Sequence, residues 1–214
     1  MTTPFDIVST YTPDYAGQAG TFLPSWLRNS GATDVRLIAL PAGGSWGHVM
    51  TVRTRALADA VLEAAGQRRR VAALDLDVFV LRPLAPAFDG IHPLAIARWP
   101  QVNAGVQFFD TTIDFPWLRW FAFLAQCFGE MIDKPQGTGN LEQDIWARAY
   151  RHHEAQVNKL AEEEWNLTVP TSQWEPALRK YRDTLRIAHV KGRGDPKRQG
   201  SRIAAVQKLF RGKT

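Results

Sequence analysis

Two aspartates, Asp75 and Asp77, lie one residue apart inside a long apolar stretch that runs from Val71 to Leu84. Apolar runs bounded by turn signals predict buried strands, so residues 71–84 are expected to form one strand that carries both acids. Side chains two residues apart in a strand point to the same face, and buried acids need a compensating positive charge. Two oxygen ligands at one point suit Mg²⁺ or Mn²⁺ held with the phosphates of a substrate. The pattern predicts a metal site, against the alternative that the acids merely end a strand and are solvated.

The residues before this stretch predict the start of a doubly wound α/β domain. Residues 5–10 and 34–40 have the apolar or alternating pattern of strands, and the apolar spacing of 22–27 favours a helix between them. In open α/β sheets, ligands bind outside the carboxyl ends of the strands. The residues at the end of the first strand are therefore candidates for a nucleobase or ribose contact, and these are Ser9, Thr10, Tyr11 and Thr12.

The rest of the chain continues to alternate between helical and strand patterns. Arg53 is expected in the first turns of a helix over 51–65, where a cation opposes the helix dipole. A nearby anion is one reason for a cation at this place, and a solvated charged face of the helix is the alternative. Gly105 opens a strand and allows a ligand to approach the backbone closely. Further helices are expected over 117–131 and from Leu141, and further strands over 94–98, after 162–169 and over 185–190. The loop 135–140 is a candidate lid or acceptor loop.

Composition and charge limit the class of protein. The chain has 214 residues, a net charge of +5 and a pI of about 9.6, which favours an anionic partner such as a nucleotide, a nucleic acid or an anionic glycan. No apolar stretch approaches the roughly 20 residues that span a bilayer, and the first residues lack a secretory signal. Cys127 is the single cysteine, which excludes an intramolecular disulfide and fits the cytoplasm of a bacterium or a phage-infected host.

Four short segments, in order along the chain, resemble the GT-A glycosyltransferases, and specifically the retaining group that includes glycogenin-like and bacterial galactosyltransferase-like enzymes. The resemblance covers about residues 5–192 and implies a Rossmann-like single domain with a central mixed, mainly parallel sheet flanked by helices, followed by a basic C-terminal tail over 193–214. The segments are Leu74–Val78 with its Asp-x-Asp, Asn103–Val106, Glu142–Ile145 and His189–Gly192.

The resemblance also implies a role for individual residues. Asp77 and His189 would bind Mn²⁺ or Mg²⁺, and Asp75 would bind the metal or a ribose. The donor substrate would be a UDP-sugar or a similar nucleotide sugar, with its base near Ser9, Thr10 and Tyr11 and its diphosphate near the backbone N–H of Gly192. Further residues are implied near the donor sugar or the phosphates, and these are Asn103, Gly105, Gln143, Asp144, Arg53 and Lys191.

The chain departs from the family pattern at three points. Arg53 stands where the family usually has a lysine, and Glu142 replaces the first acid of the family's Asp-Gln-Asp helix start. The late motif usually continues to a Lys-Pro pair, but here Asp195 precedes the proline. The residue that replaces this lysine at the phosphates is therefore Lys191, Arg193 or Lys197, and the sequence does not decide among them.

Three classes of function follow from these observations. The first is a metal-dependent hexosyltransferase that moves a sugar to a hydroxyl acceptor, either a glycan such as lipopolysaccharide or hydroxymethylated pyrimidines in DNA, as some phage enzymes do. The second is a phosphohydrolase of the haloacid dehalogenase type, whose nucleophile strand also carries Asp-x-Asp. The third is a nucleic-acid-binding module without catalysis. The haloacid dehalogenase pattern begins its domain with the motif, whereas here a strand, a helix and a strand precede Asp75.

Overall fold

A computed structural model describes residues 4–43, 45–130, 141–191 and 196–212. Strands and α-helices alternate over the first 74 residues, as the sequence predicts, whereas several strands follow one another between residues 70 and 110. The strands are β1 Phe5–Tyr11, β2 Asp34–Ala39, β3 Arg70–Leu74, β4 Val78–Val80, β5 Leu94–Ala97, β6 Val106–Asp110, β7 Val157–Leu160 and β8 Ile187–His189. The helices are α1 Ala19–Asn29, α2 Trp46–Gly66, α3 Trp117–Gly129, α4 Leu141–Arg151, α5 Glu162–Trp165, α6 Thr171–Lys180 and α7 Pro196–Leu209.

Six strands form the central sheet in the order β2-β1-β3-β6-β5-β7. The pairs β1–β2, β1–β3 and β5–β7 are parallel, whereas β6 runs antiparallel to both β3 and β5. Strands β4 and β8 form a separate antiparallel pair. The prediction of a mixed, mainly parallel sheet flanked by helices in a single domain is confirmed.

The central strands form because they are apolar on both faces. Residues 71–74 of β3 are buried, as are all residues of β6, so helices must cover both sides of the sheet. Helix α2 is capped by Ser45, whose hydroxyl accepts the backbone N–H of His48, and it packs Leu57 and Val61 into the core beside α3. This arrangement places the carboxyl ends of β1 and β3 at one edge of the sheet.

The prediction of one continuous strand over 71–84 is wrong. Strand β3 ends at Leu74, Asp75 to Asp77 form a turn, and the chain resumes at Val78 as β4 in the smaller sheet. A turn lets both carboxylates stay partly solvated, which avoids the cost of two acids inside a buried strand. The acids therefore converge through the turn and not through the two-residue repeat of a strand.

The helix that contains Arg53 begins earlier than predicted, at Trp46 and not near residue 51. Arg53 therefore lies in the third turn, where the dipole of the helix start has little effect. The predicted position in the first turns is therefore wrong, whereas the nearby anion that was offered as a reason for this arginine is present. The anions that it contacts are carboxylates from other elements, as described below.

The last third of the chain holds elements that were not predicted. Strand β7 at the sheet edge is absent from the expected pattern. The strand expected after 162–169 is also wrong, because helices α5 and α6 occupy 162–165 and 171–180 and only an isolated bridge joins Leu167 to Ala188. Within the predicted basic tail, where the sequence favours a short amphipathic helix over 203–210, the structure has the longer helix α7. Val206 in this helix and Phe210 just after it are buried in a cluster with Trp174 and Leu178. The loop 135–140 lies outside the described residues. Within the described ranges, no helix has both the length and the apolar character needed to cross a membrane.

Candidate functional site

Asp75, Asp77 and His189 converge at the carboxyl end of β3. His189 Nε2 lies 3.0 Å from Asp77 Oδ1 and 3.7 Å from Asp75 Oδ2, and one ligand atom from each residue lies within 4.8 Å of the others. Two ligands at right angles on a Mg²⁺ or Mn²⁺ ion are about 3 Å apart when each bond is about 2.1 Å. Two carboxylates and an imidazole are also a donor set that Mn²⁺ accepts. The described residues therefore fit a divalent cation.

The pairing of β4 with β8 brings His189 to the two aspartates, which are more than a hundred residues away in sequence. In this antiparallel register Val78 lies opposite His189, so the histidine lies beside the turn that carries Asp77. The backbone N–H of Val190 donates to the carbonyl of Asp77 at 2.9 Å, which continues the pairing past the end of the strand. The ligand set depends on this small sheet as much as on the central one.

Gly105 lies directly against the three candidate ligands. The backbone N–H of Asp75 donates to the Gly105 carbonyl at 2.8 Å, so the two chains touch along their backbones. A Cβ atom at Gly105 would lie 2.5 Å from His189 Cε1 and 2.9 Å from Asp75 Cγ, and closer still to Asp75 Oδ2. Only glycine allows this approach of the backbone to the two side chains. The predicted close approach of a bound substrate to Gly105 stays a prediction.

Arg53 joins two carboxylates at the edge of the site. Its guanidinium donates to Asp75 Oδ1 and, at 2.9 Å, to Glu142 Oε1, and the three side chains are each 21–29% exposed. Burial alone would raise the pKa of Asp75, but Arg53, His189 and Lys191 outweigh it and hold that pKa below its ordinary value. Burial dominates at Glu142, whose pKa is raised although Arg53 opposes the shift. Arg53 thus keeps Asp75 ionised and leaves its Oδ2 directed toward His189.

His189 is held from behind by Asn166, a residue that the sequence analysis did not single out. Both side chains are buried, and Asn166 Oδ1 lies 3.0 Å from His189 Nδ1. A partner on Nδ1 fixes the ring orientation and leaves Nε2 toward the aspartates. Asn166 follows α5 without any motif around it, so no sequence signal marks it.

A cavity of about 290 Å³ opens over the aspartates. It unites the ends of β1 and β3 with the residues that follow β8, as expected for the carboxyl edge of an α/β sheet. Lys191 lies at its wall, and burial lowers the pKa of this amine, although Asp75 and Asp77 oppose the shift. The lining residues are Thr10, Tyr11, Thr12, Tyr15, Leu40, Arg53, Asp75, Leu76, Asp77, His189 and Lys191.

Two of the predicted residues lie just behind the cavity. The Ser9 side chain is buried and does not line the cavity, and its hydroxyl has no hydrogen-bond partner among the described residues. Asn103 is also buried, and its Oδ1 accepts the backbone N–H of Gly105 at 3.0 Å. This bond shapes the turn that presents Gly105 to the ligands. Direct contacts of Ser9 with a base and of Asn103 with a sugar stay predictions.

Helix α4 reaches the site through Glu142, which pairs with Arg53. Gln143 is half-buried and Asp144 is exposed, and neither lines the cavity. Residues two apart on a helix do not share a face, so Asp144 does not point with Glu142 toward Arg53. Their catalytic role stays a prediction. Gly192 and Arg193 lie outside the described residues, and Lys197 is exposed on α7.

No protein-family model matches the chain, and a search of curated proteins found no match. Solved structures do match its fold. A glycosyltransferase involved in glycosylation of the major capsid of PBCV-1 is 12% identical and superposes over 93% of this chain and 98% of its own, with a TM-score of 0.63. The apo form of the glycosyltransferase GlyE from Streptococcus pneumoniae TIGR4 is 14% identical to this chain. Its superposition covers 97% of this chain and 62% of its own, with a TM-score of 0.57.

A third match is the apo form of mouse xyloside xylosyltransferase 1, which is 13% identical. The superposition covers 87% of this chain and 97% of the other, with a TM-score of 0.56. At such identities these likenesses establish the fold, and the chemistry has to be argued from the site. The chain has the α/β fold of GT-A glycosyltransferases, as the motif resemblance predicted.

Proposed function

We propose that this chain is a metal-dependent glycosyltransferase that takes its sugar from a nucleotide diphosphate sugar. The observation that carries the proposal is the convergence of Asp75, Asp77 and His189 at the base of a cavity on a GT-A fold. All three structural neighbours named above are glycosyltransferases, which supports the same class. A phosphohydrolase of the haloacid dehalogenase type is less well supported, because such enzymes begin their domain with the Asp-x-Asp strand, whereas β1, α1 and β2 precede Asp75 here.

The cavity offers one place for each part of a nucleotide sugar. Thr10 and Tyr11 at the end of β1 would take the base, for which uracil is proposed, with the ring of Tyr15 on the same wall. The diphosphate would lie over the aspartates with Lys191 beside it, which makes Lys191 our choice for the cation that replaces the missing late lysine. The sugar would then point toward Gly105 and the start of α4.

The chemistry follows from the charges that surround the diphosphate. A bound Mn²⁺ or Mg²⁺ would supply Lewis-acid stabilisation of the departing nucleotide diphosphate. Lys191 would neutralise further phosphate charge, and fixed side chains need no reorganisation when that charge develops. Gln143 or Asp144 would stabilise the cationic sugar, and the leaving phosphate would take the acceptor proton, so a retaining transfer needs no base of its own.

The proposed acceptor is a hydroxyl group of a glycan. The alternative acceptor is a hydroxymethylated pyrimidine in DNA. The net charge of +5 is compatible with an anionic glycan and with DNA. DNA binding that rests on phosphate contacts weakens steeply with salt. The DNA alternative therefore predicts duplex binding at low salt, measured by fluorescence anisotropy, and an absence of binding there would remove it.

A thermal-shift panel of nucleotide sugars, each with and without Mn²⁺, tests the proposed function. We expect stabilisation only when nucleotide sugar and Mn²⁺ are both present, because a ligand stabilises only the folded state that binds it. Asp77→Asn should lose this shift, and Asp114→Asn, at an exposed position outside the site, should keep it. Hydrolysis of p-nitrophenyl phosphate without any binding of nucleotide sugars would instead favour the phosphohydrolase. An Asp77→Ala variant with intact function would favour the non-catalytic nucleic-acid-binding module.

A further inference from the structure

Arg202 carries a positive charge from helix α7 into the interior of the protein. The residue is only 3% exposed, although arginine is rarely buried unless its N–H groups find acceptors. Nη1 donates to the carbonyl of Lys191 at 2.8 Å, and Nη2 donates to the carbonyl of Val169 at 2.7 Å. Two backbone segments therefore meet at one guanidinium, and one of them borders the candidate metal site.

Trp174 of α6 holds Arg202 at both the head and the backbone. The guanidinium carbon lies 5.0 Å from the centroid of the Trp174 ring, and the indole N–H donates to the Arg202 carbonyl at 3.2 Å. Trp174 is itself buried. A guanidinium is planar and presents its N–H groups in a fixed fork, so a ring that holds its plane also fixes the direction of its hydrogen bonds.

The carbonyl that Arg202 binds belongs to the lysine at the wall of the cavity. The N–H of Lys191 donates to the carbonyl of His189 at 3.0 Å, which ties Lys191 to the end of β8. Arg202 holds the same residue through its carbonyl. The backbone of Lys191 is thus fixed on both sides, and its side chain extends from this point into the cavity over the two aspartates.

A fixed backbone matters for a lysine more than for a rigid side chain. The ammonium lies at the end of a flexible four-carbon stem, and ordering such a stem costs conformational entropy when it contacts a ligand. A mobile backbone would add its own rotations to that cost. Rigid support reduces what has to be ordered on binding and so raises the affinity.

We propose that Arg202 is a positioning residue that holds Lys191 toward the diphosphate of the nucleotide sugar. The inference rests on the proposed function and deepens it, because it assigns helix α7 to the support of the donor site. Arg202 itself does not line the cavity, so it acts through Lys191 and does not touch the phosphates.

Calorimetry of UDP binding in the presence of Mn²⁺ tests the proposal on the whole chain. Arg202→Met should weaken UDP binding by about tenfold, the scale of one hydrogen bond to a charged group. Lys208→Met is the matched control, because it removes a positive charge from an exposed position of the same helix. We expect the control to bind UDP as the wild type does.

Arg202→Lys separates the position of the backbone from the charge beneath it. The variant keeps the positive charge, but an ammonium lacks the planar fork that joins the two carbonyls. We expect a loss of UDP affinity close to that of Arg202→Met. Wild-type affinity in Arg202→Lys would show that the charge alone suffices and would overturn the proposal.

A double-mutant cycle with Lys191→Met provides the decisive comparison. Lys191→Met alone should weaken UDP binding roughly 10- to 100-fold. Adding Arg202→Met should then change the affinity by less than about twofold, because no ammonium is left to hold in place. A further tenfold loss, on the order that long-range charge or general loosening would cause in either background, would overturn the proposal.

The outcomes separate the inference from the function on which it rests. A wild-type protein that does not bind UDP with Mn²⁺ would overturn the proposed function itself. Wild-type affinity in Arg202→Met would overturn only the role of Arg202, and wild-type affinity in Lys191→Met would overturn the choice of Lys191 and this role with it. If Arg202→Met does not fold, Arg202→Lys takes its place in the cycle.

Discussion

A single methyl group at Gly105 should abolish the metal site while leaving the fold in place. In Gly105→Ala the new carbon would lie 2.5 Å from His189 Cε1 and 2.9 Å from Asp75 Cγ. Carbon atoms in contact are about 3.5 Å apart at closest, so the imidazole has to retreat by about 1 Å. The fully buried strand β8 behind His189 leaves little room for that movement.

The size of the effect follows from how strictly a metal holds its ligands. Ligand distances in metal sites vary by only about 0.2 Å, so a shift of about 1 Å removes His189, and Asp75 must also move. We expect Mn²⁺ affinity in the presence of UDP to fall on the order of 100-fold or more, as misplacements of this size cause in active sites. Overpacking should also lower the free energy of unfolding by about 1–3 kcal/mol.

Calorimetry with Mn²⁺ and UDP, paired with urea denaturation, measures both quantities on the same protein. Gly66→Ala is the matched control, because a Cβ there meets no atom within 4 Å and Gly66 ends α2 before the start of β3, whereas the site lies at the carboxyl end of β3. Gly105→Ala with wild-type affinity for Mn²⁺ would refute the placement of Gly105 against the two ligands.

Three further predictions concern the supports of the site and the end of the chain. Arg53→Met leaves Asp75 and Glu142 without their shared cation, so unfolding free energy should fall by about 2 kcal/mol in urea, and excess Mn²⁺ should recover part of it. Tyr150→Phe removes a buried hydrogen bond of 2.9 Å to a glutamine of β6. The free energy of unfolding in urea should fall by about 1–2 kcal/mol, and the Mn²⁺ affinity measured by calorimetry should not change. Phe210→Ala should lower the free energy of unfolding, measured in urea, by about 3 kcal/mol, because this ring is buried in the core.

Each of these predictions has a comparison that would contradict it. A stability of Arg53→Met equal to that of Arg36→Met, whose ion pair with Glu63 is exposed, would show that the buried acids do not need Arg53. Loss of Mn²⁺ binding in Tyr150→Phe would show that the hydrogen bond acts on the site. For Phe210, Leu118→Ala at an exposed position is the control, and an equal loss in both would mean that α7 does not belong to the core.

Apolar patterns predicted the elements of the sheet that are buried on both faces, such as β1, β3 and β6. The same patterns failed where the chain changes sheets. Residues 71–74 and 78–81 are both apolar, and this pattern does not show that they belong to different sheets, because the pairing of β4 depends on β8, which lies a hundred residues later. Strand β7 is half-exposed at an edge and has no strong pattern of its own.

The metal ligands and their supports were predictable to different degrees. Asp75 and Asp77 stood out because acids within an apolar run are unusual, whereas His189 entered only through the resemblance to a family motif. Asn166 and the pairing of Glu142 with Arg53 could not have been predicted, because contacts across 23 and 89 residues depend on the tertiary packing. The residues that tune a site are ordinary polar residues in sequence, and only the fold gives them a role.

The two carboxylate oxygens of Asp75 have different partners, one in the supporting ion pairs and one in the candidate metal site. Oδ1 is paired with Arg53, which in turn holds Glu142, while Oδ2 faces His189. The carboxylate is thus held in place by one oxygen before any cation arrives, and the other needs little reorientation to bind it. The ion-pair contact of Asp77 among the described residues is with His189, whereas Arg53 and Lys191 act on Asp77 from a greater distance. A divalent cation would therefore complete the charge balance at Asp77 and His189 and add to a geometry that Arg53 already maintains.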